Sequence, residues 1–393
     1  MISQRAQFLK YLAQTSDFPM MVDIARAEGI FLYDHEGKSY IDAIAGISVS
    51  TLGHQHPEII KALKEQIDKH AHVMVYGEFI QPVQVQLAKE LIASTPEGLD
   101  QVFFVNSGSE AVEGAMKLAK RFTGRPDIVA CKNAYHGSSH GALSVSGNER
   151  LKQAFRPLVP GIKHIRFGNI EDLESINENT AAMIIETVQG EAGVRMAGHH
   201  YFQALKQRCI ETDALLIMDE IQAGFGRTGK FWAFEHYDIV PDIIVTAKGM
   251  GGGMPLGGFI AGEQVMGMLK DDPILGHIST FGGHPVSAAA SLATIRVLKE
   301  GNIIEEVEHK GRLLENLLKD VKTIREIRRK GLMMALETGS FEKTQQVIHQ
   351  AVDLGLISDW FLFCDTAIRI APPLVISESE IHQMAHVIKR SFA

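Results

Sequence analysis

The stretch DIIVTAKGMGGG (242–253) sets an apolar run, a lysine and four glycines side by side. Residues 242–247 suit a strand covered on both faces. Lys248 stands at the end of that strand, and the glycines strip side chains away beside it. Three other runs share the design: VFFVN (102–106), AAMIIE (181–186) and ALLIMDE (214–220), each ending in polar or glycine-rich residues. VFFVN leads into the helical pattern EAVEGAMKLAKRF. Strands alternating with helices predict an α/β fold with a mostly parallel central sheet.

The ends of the chain read differently. GIFLYDHEGKSYIDAIAG (29–46) predicts a hairpin with its turn at HEG (35–37). After about residue 285 long helical patterns dominate, followed by strand candidates around 327–337 and 367–371. Ser377 and Glu380 form a capping box before the last helix. The expected organisation is a large central domain (51–285) and a smaller α+β domain built from both termini (1–50 and 286–393).

A net charge of −8 argues against a nucleic-acid surface. The three cysteines, Cys131, Cys209 and Cys364, contain no CxxC pair, so neither a zinc ribbon nor a disulfide framework is expected. No apolar run approaches about 18 residues, and the N-terminus lacks a signal-peptide core. The expectation is a cytoplasmic protein with no membrane span. Alternate histidines (His54 and His56, His70 and His72) have no evident third ligand, so no metal is expected.

Ligands of open α/β sheets bind outside the carboxyl ends of strands. There the sequence places Asn106-Ser107-Gly108-Ser109, Glu186 with Gln189 and Glu191, Asp219 with Gln222, and Lys248. Ser107, Gly108 and Ser109 open a helix whose free amides suit a phosphate; alternatively a serine there only caps the helix. Asp219, at an apolar strand end, needs a partner, either a cationic side chain or a protonated ring nitrogen such as pyridoxal phosphate carries. Burial of Lys248 would disfavour its ammonium and expose an amine nucleophilic toward carbonyls; alternatively the side chain snorkels outward. GFGRTG (224–229) fits G-x-G-x-x-G, yet no periodic helix follows, and Phe231 after Lys230 removes the Ser or Thr of a P-loop.

With these residues assembled, the chain resembles the class III, or ornithine/acetylornithine-type, aminotransferases, which are pyridoxal-phosphate enzymes of fold type I. The resemblance runs from about residue 20 to the C-terminus. Its markers are GHQHP (53–57), NSGSEAVE (106–113), YHG (135–137), QGEAG (189–193), MDEIQAGFGRTGKFWAFEH (218–236), TAKGMGGGMPLGG (246–258), STFGGHP (279–285) and IRIAPPL (368–374). By this resemblance Lys248 is the Schiff-base lysine and proton shuttle, and Asp219 partners the pyridinium. Gln222 would bond the ring hydroxyl, Tyr135 would stack on the ring, and Ser107, Gly108 and Ser109 would hold the phosphate. Thr280 would reach the phosphate of a neighbouring subunit, which implies a homodimer. Arg369 would clamp the carboxylate of glutamate or 2-oxoglutarate. Glu191 would neutralise that arginine when an amine lacking the carboxylate is bound.

The pattern departs from the family at AYHGSSHG (134–141), where Ser138 replaces an arginine usual for a second substrate carboxylate. Arg150 is a candidate substitute. The expected reaction moves a terminal amino group from an acetylornithine-like donor to 2-oxoglutarate, giving a semialdehyde and glutamate. The alternatives are a different ω-amine or amino-acid donor, a decarboxylase or racemase of the same fold, and a phosphotransferase using GFGRTGK.

Overall fold

The computed structural model describes residues 3–393. Strands are numbered along the chain. Near the N-terminus lie β1 (Ile24–Glu28), β2 (Phe31–Asp34) and β3 (Ser39–Asp42). The expected hairpin is β2–β3, with Phe31 opposite Ile41 and Tyr33 opposite Ser39. Its turn closes because Asp34 Oδ1 accepts the amides of Glu36 and Lys38, at 3.0 and 2.9 Å.

The centre is a seven-stranded sheet of β4 (Gln101–Val105), β5 (Asp127–Cys131), β6 (Ile162–Ile165), β7 (Thr180–Glu186), β8 (Leu215–Asp219), β9 (Ile243–Thr246) and β10 (Gly257–Ala261). Its order is β4-β10-β9-β8-β7-β5-β6. The pairs from β9 to β6 are parallel, and β10 runs antiparallel between β4 and β9. Every residue of β7 and β8 is buried, which is why these strands read as unbroken apolar runs.

Helix Gly108–Thr123 packs on β9 and β10. Its buried face includes Val112, Ala115, Leu118 and Ala119, at helical spacing. Leu118 has no exposed surface, so Leu118→Ala would cost about 2–5 kcal/mol. The chain enters at Ser107, whose hydroxyl accepts the Glu110 amide at 3.2 Å, and leaves at Gly124 in the left-handed region.

The remaining strands are β11 (Glu326–Lys330), β12 (Met333–Glu337), β13 (Leu356–Ile357), β14 (Trp360–Phe361) and β15 (Cys364–Ile370). Four of them make a sheet of order β11-β12-β15-β14, while β13 joins β3 in parallel. One sheet therefore draws strands from both ends of the chain. Helix Pro285–Glu300 packs against helices Pro57–Lys69 and Pro82–Ile92 and against the turn that begins at Lys248. The capping box of Ser377 and Glu380 starts the last helix, Glu378–Ser391.

Candidate active site

The carboxyl ends of β7, β8 and β9 and the start of helix Gly108–Thr123 enclose a cavity of ≈ 340 Å³. Lys248, Asp219, Ser107, Gly108, Ser109, Tyr135, Gln222 and Glu191 all line it. Arg369, on β15, stands behind Glu191. Thr280 is exposed and does not line the cavity, nor do Ser138 and Arg150.

Lys248 follows β9 by two residues and has φ 48, a costly backbone region for a side-chain-bearing residue. Among the described residues its Nζ has no hydrogen-bond or ion-pair partner. Burial, the dominant influence, lowers its pKa below the ordinary lysine value, against the opposing pull of Glu191. The glycines after it answer to space as well as to turn geometry. At Gly252, with φ +59, an added Cβ would lie 2.2 Å from Thr294 Oγ1 on helix Pro285–Glu300.

Asp219 ends β8 with Oδ1 accepting the Ile221 amide at 3.0 Å. Its other oxygen lies 2.6 Å from His136 Nδ1, where the ring N–H donates to the carboxylate. His136 is 1% exposed, and its Nε2 is buried without a partner. The partner that an apolar strand end demands is thus present within the chain, in a histidine to which the sequence pattern assigns no role. YHG carries the family resemblance and a role for Tyr135, and the signal for His136 is the buried aspartate itself, which requires a donor nearby.

The amides of Gly108 and Ser109 fall in the first helical turn, where no intrahelical acceptor exists. The Ser107 hydroxyl serves as the cap, and Ser109 Oγ accepts the Ser138 amide at 3.2 Å. Tyr135 OH sits 3.1 Å from Ser138 Oγ. Glu186 joins two loops: its oxygens accept the amides of Tyr135 (3.0 Å) and Gly190 (3.2 Å). Burial first, and then Asp219, hold this carboxyl well above its ordinary pKa.

Glu191 and Arg369 form a bidentate pair at 2.7 and 2.8 Å, and Gln222 Nε2 donates to Glu191 Oε1 at 3.1 Å. Arg369 is 4% exposed, so it is no strand-edge surface charge. Burial alone would raise the Glu191 carboxyl, but the guanidinium outweighs it and brings the value to about 2.

The residues present fit pyridoxal 5′-phosphate. A free amine, a strand-end carboxylate and open helix-terminal amides converge on one cavity. The helix end is also pared for close approach: at Gly137, with φ +129, a Cβ would lie 2.1 Å from Ser109 Oγ.

Such a sheet, with these groups at its carboxyl ends, is the arrangement of a pyridoxal-phosphate enzyme of fold type I. Residues 11–392 match the model of the aminotransferase class-III family, and the chain belongs to that family. It is 41% identical over 379 residues to an acetylornithine aminotransferase of Methanopyrus kandleri, with 95% of each chain covered. It is 37% identical over 370 residues to a LysW-aminoadipate semialdehyde/glutamate semialdehyde transaminase of Sulfolobus acidocaldarius, covering 93% of each. Among solved structures, the ornithine aminotransferase of Toxoplasma gondii superposes with a TM-score of 0.91 at 30% identity, covering 98% of this chain and 93% of that one. That structure carries pyridoxal phosphate at partial occupancy.

Proposed function

We propose that this transaminase moves the terminal amino group of an N-acylated ornithine to 2-oxoglutarate, giving a semialdehyde and glutamate. The observation that carries the reading is the Lys248 amine, without a partner among the described residues, facing the cavity that Glu191 lines with Arg369 behind it. The names of the curated relatives support the donor class.

Bound pyridoxal 5′-phosphate supplies an aldehyde that takes up amines and a ring that withdraws electrons. Lys248 would hold the aldehyde until the substrate amine displaces it, and its freed Nζ would then take the proton leaving the amine-bearing carbon. Asp219, held by His136, would keep a proton on the ring nitrogen of the bound group. Ser107, Gly108 and Ser109 would hold the phosphate, Gln222 would orient the ring hydroxyl, and Tyr135 would cover one ring face. Arg369 binds the carboxylate of 2-oxoglutarate bidentately after Glu191 withdraws, and Glu191 returns when the ω-amine occupies the cavity. One cavity then serves two unlike substrates in turn.

We further propose a homodimer in which Thr280 completes the partner's phosphate site, since its exposed position leaves it free to do so. The proposed division remains a large cofactor domain (51–285) and a small domain from both termini. A reducing cytoplasm suits the three free thiols.

Ser138 favours a second reading, in which another ω-amine is the donor. Its hydroxyl carries no charge to pair with a substrate carboxylate. The test is glutamate formation from 2-oxoglutarate by the cofactor-loaded enzyme, with N-acetylornithine, N-succinylornithine, ornithine and simple ω-amines supplied separately. Turnover of an acylated ornithine at least about tenfold above the rest supports the first reading; turnover of other amines alone overturns it.

A further inference from the structure

Arg369 has a second carboxylate partner. Asp359 Oδ1 accepts from its Nε at 2.9 Å, and the Asp359 carbonyl accepts the Arg369 amide at 2.8 Å. The Phe361 ring lies under the guanidinium, 4.6 Å from centroid to Cζ, and Ser358 Oγ donates to the Arg369 carbonyl at 2.7 Å. The same short segment also reaches the other member of the pair. The Leu362 amide donates to Glu191 Oε2 at 3.1 Å, and the Phe363 amide to the Glu191 carbonyl at 3.0 Å.

The two edges of the guanidinium are therefore held from different parts of the chain. Asp359 takes the Nε edge and lies ten residues before Arg369, beside β14, which pairs with β15. Glu191 takes the Nη1/Nη2 edge from the loop after β7.

We propose that Asp359 is a positioning residue for the carboxylate substrate: it holds Arg369 by one edge while Glu191 surrenders the other. The inference rests on the reading of Glu191 and Arg369 given above. A bidentate carboxylate needs the plane and direction of the guanidinium fixed in advance. Without Asp359, an arginine released by Glu191 keeps only the Phe361 face and the Trp360 carbonyl, which accepts from Nη2 at 3.3 Å. With Asp359 in place, an incoming carboxylate replaces Glu191 one for one, and the local charge is unchanged.

The test compares the two half-reactions of the cofactor-loaded enzyme, followed by its visible absorption. Asp359→Ala removes the acceptor, while Asp359→Asn keeps an oxygen for Nε and removes only the charge. In Asp359→Ala the oxo-acid half-reaction should require about tenfold more 2-oxoglutarate, as expected when the hydrogen bond that orients the guanidinium is lost, with a markedly smaller effect on the amine half-reaction. Asp359→Asn should recover most of that loss. Equal damage to both half-reactions in both variants, or an unchanged requirement in Asp359→Ala, would overturn the inference. Arg369→Gln separates the two levels. If it weakens oxo-acid use and Asp359→Ala does not, only the Asp359 inference fails. If it has no effect either, the underlying reading fails with it.

Discussion

Glu191 and Arg369 meet in two parallel hydrogen bonds, with both side chains almost wholly withdrawn from solvent. A pair of this kind is costly to leave half-made: Asp359 holds only the Nε edge of Arg369, and the Nη edge that Glu191 vacates has no water to turn to. Under the proposed function, a substrate carboxylate is what replaces Glu191 on Arg369 when Glu191 departs. Glu191→Gln weakens the occupant that competes with substrate. The balance between the half-reactions should shift by about tenfold toward oxo-acid binding. Single-turnover kinetics with each substrate alone would measure it; equal changes in both half-reactions would contradict the exchange.

The same pair sets a pH dependence. Glu191 is held at about 2, below its ordinary 4.5, so its contribution to stability is present above about 4.5 and is lost as pH falls toward 2. The difference in unfolding free energy between the wild type and Glu191→Gln should shrink across that window. A difference that stays constant from neutral pH to pH 3 would show that the carboxylate is not stabilised by its neighbours.

His136 and Asp219 make a further prediction. Asp219→Asn removes the charge that would keep a ring proton, and the turnover rate should fall about a hundredfold or more. His136→Phe leaves the carboxylate with only the Ile221 amide as donor, and its loss should be smaller but in the same direction. Steady-state rates at saturating cofactor would rank the two variants. A His136 effect larger than that of Asp219 would place the chemistry on the histidine instead.

At the helix end, Gly137→Ala forces a methyl group against Ser109 Oγ and strains a positive-φ backbone. Retention of the cofactor on dilution should drop by about tenfold, with a stability loss of about 1–3 kcal/mol. Unchanged retention would mean that Ser109 does not contact the phosphate.

Much of this was readable from residues. The runs at β7, β8 and β9 are apolar throughout because both faces are covered, and that pattern alone puts Asp219 at the end of β8 and Lys248 just past β9. The capping box at Ser377 and the hairpin at HEG are local hydrogen-bond chemistry and depend on few distant residues. Other features depend on the register of distant segments. The antiparallel insertion of β10 between β4 and β9 leaves no mark in its own sequence, GGFIA. The contact of His136 with Asp219 joins residues 83 positions apart. Asp359 sits in SDWFLF (358–363), which carries no motif, and its role emerges only when β14 folds back on β15. Ser107 illustrates a third case, since a cap and a phosphate ligand share one signature.

The most direct test of the central claim is the visible absorption spectrum of the wild type and of Lys248→Ala, each mixed with pyridoxal 5′-phosphate and then washed free of excess. The wild type should keep a visible band that an added ω-amine bleaches and 2-oxoglutarate restores. Lys248→Ala should lose that band on washing. A wild type that retains no band, or a Lys248→Ala protein that keeps the wild-type band and its turnover, would contradict the role assigned to the lysine at the end of β9.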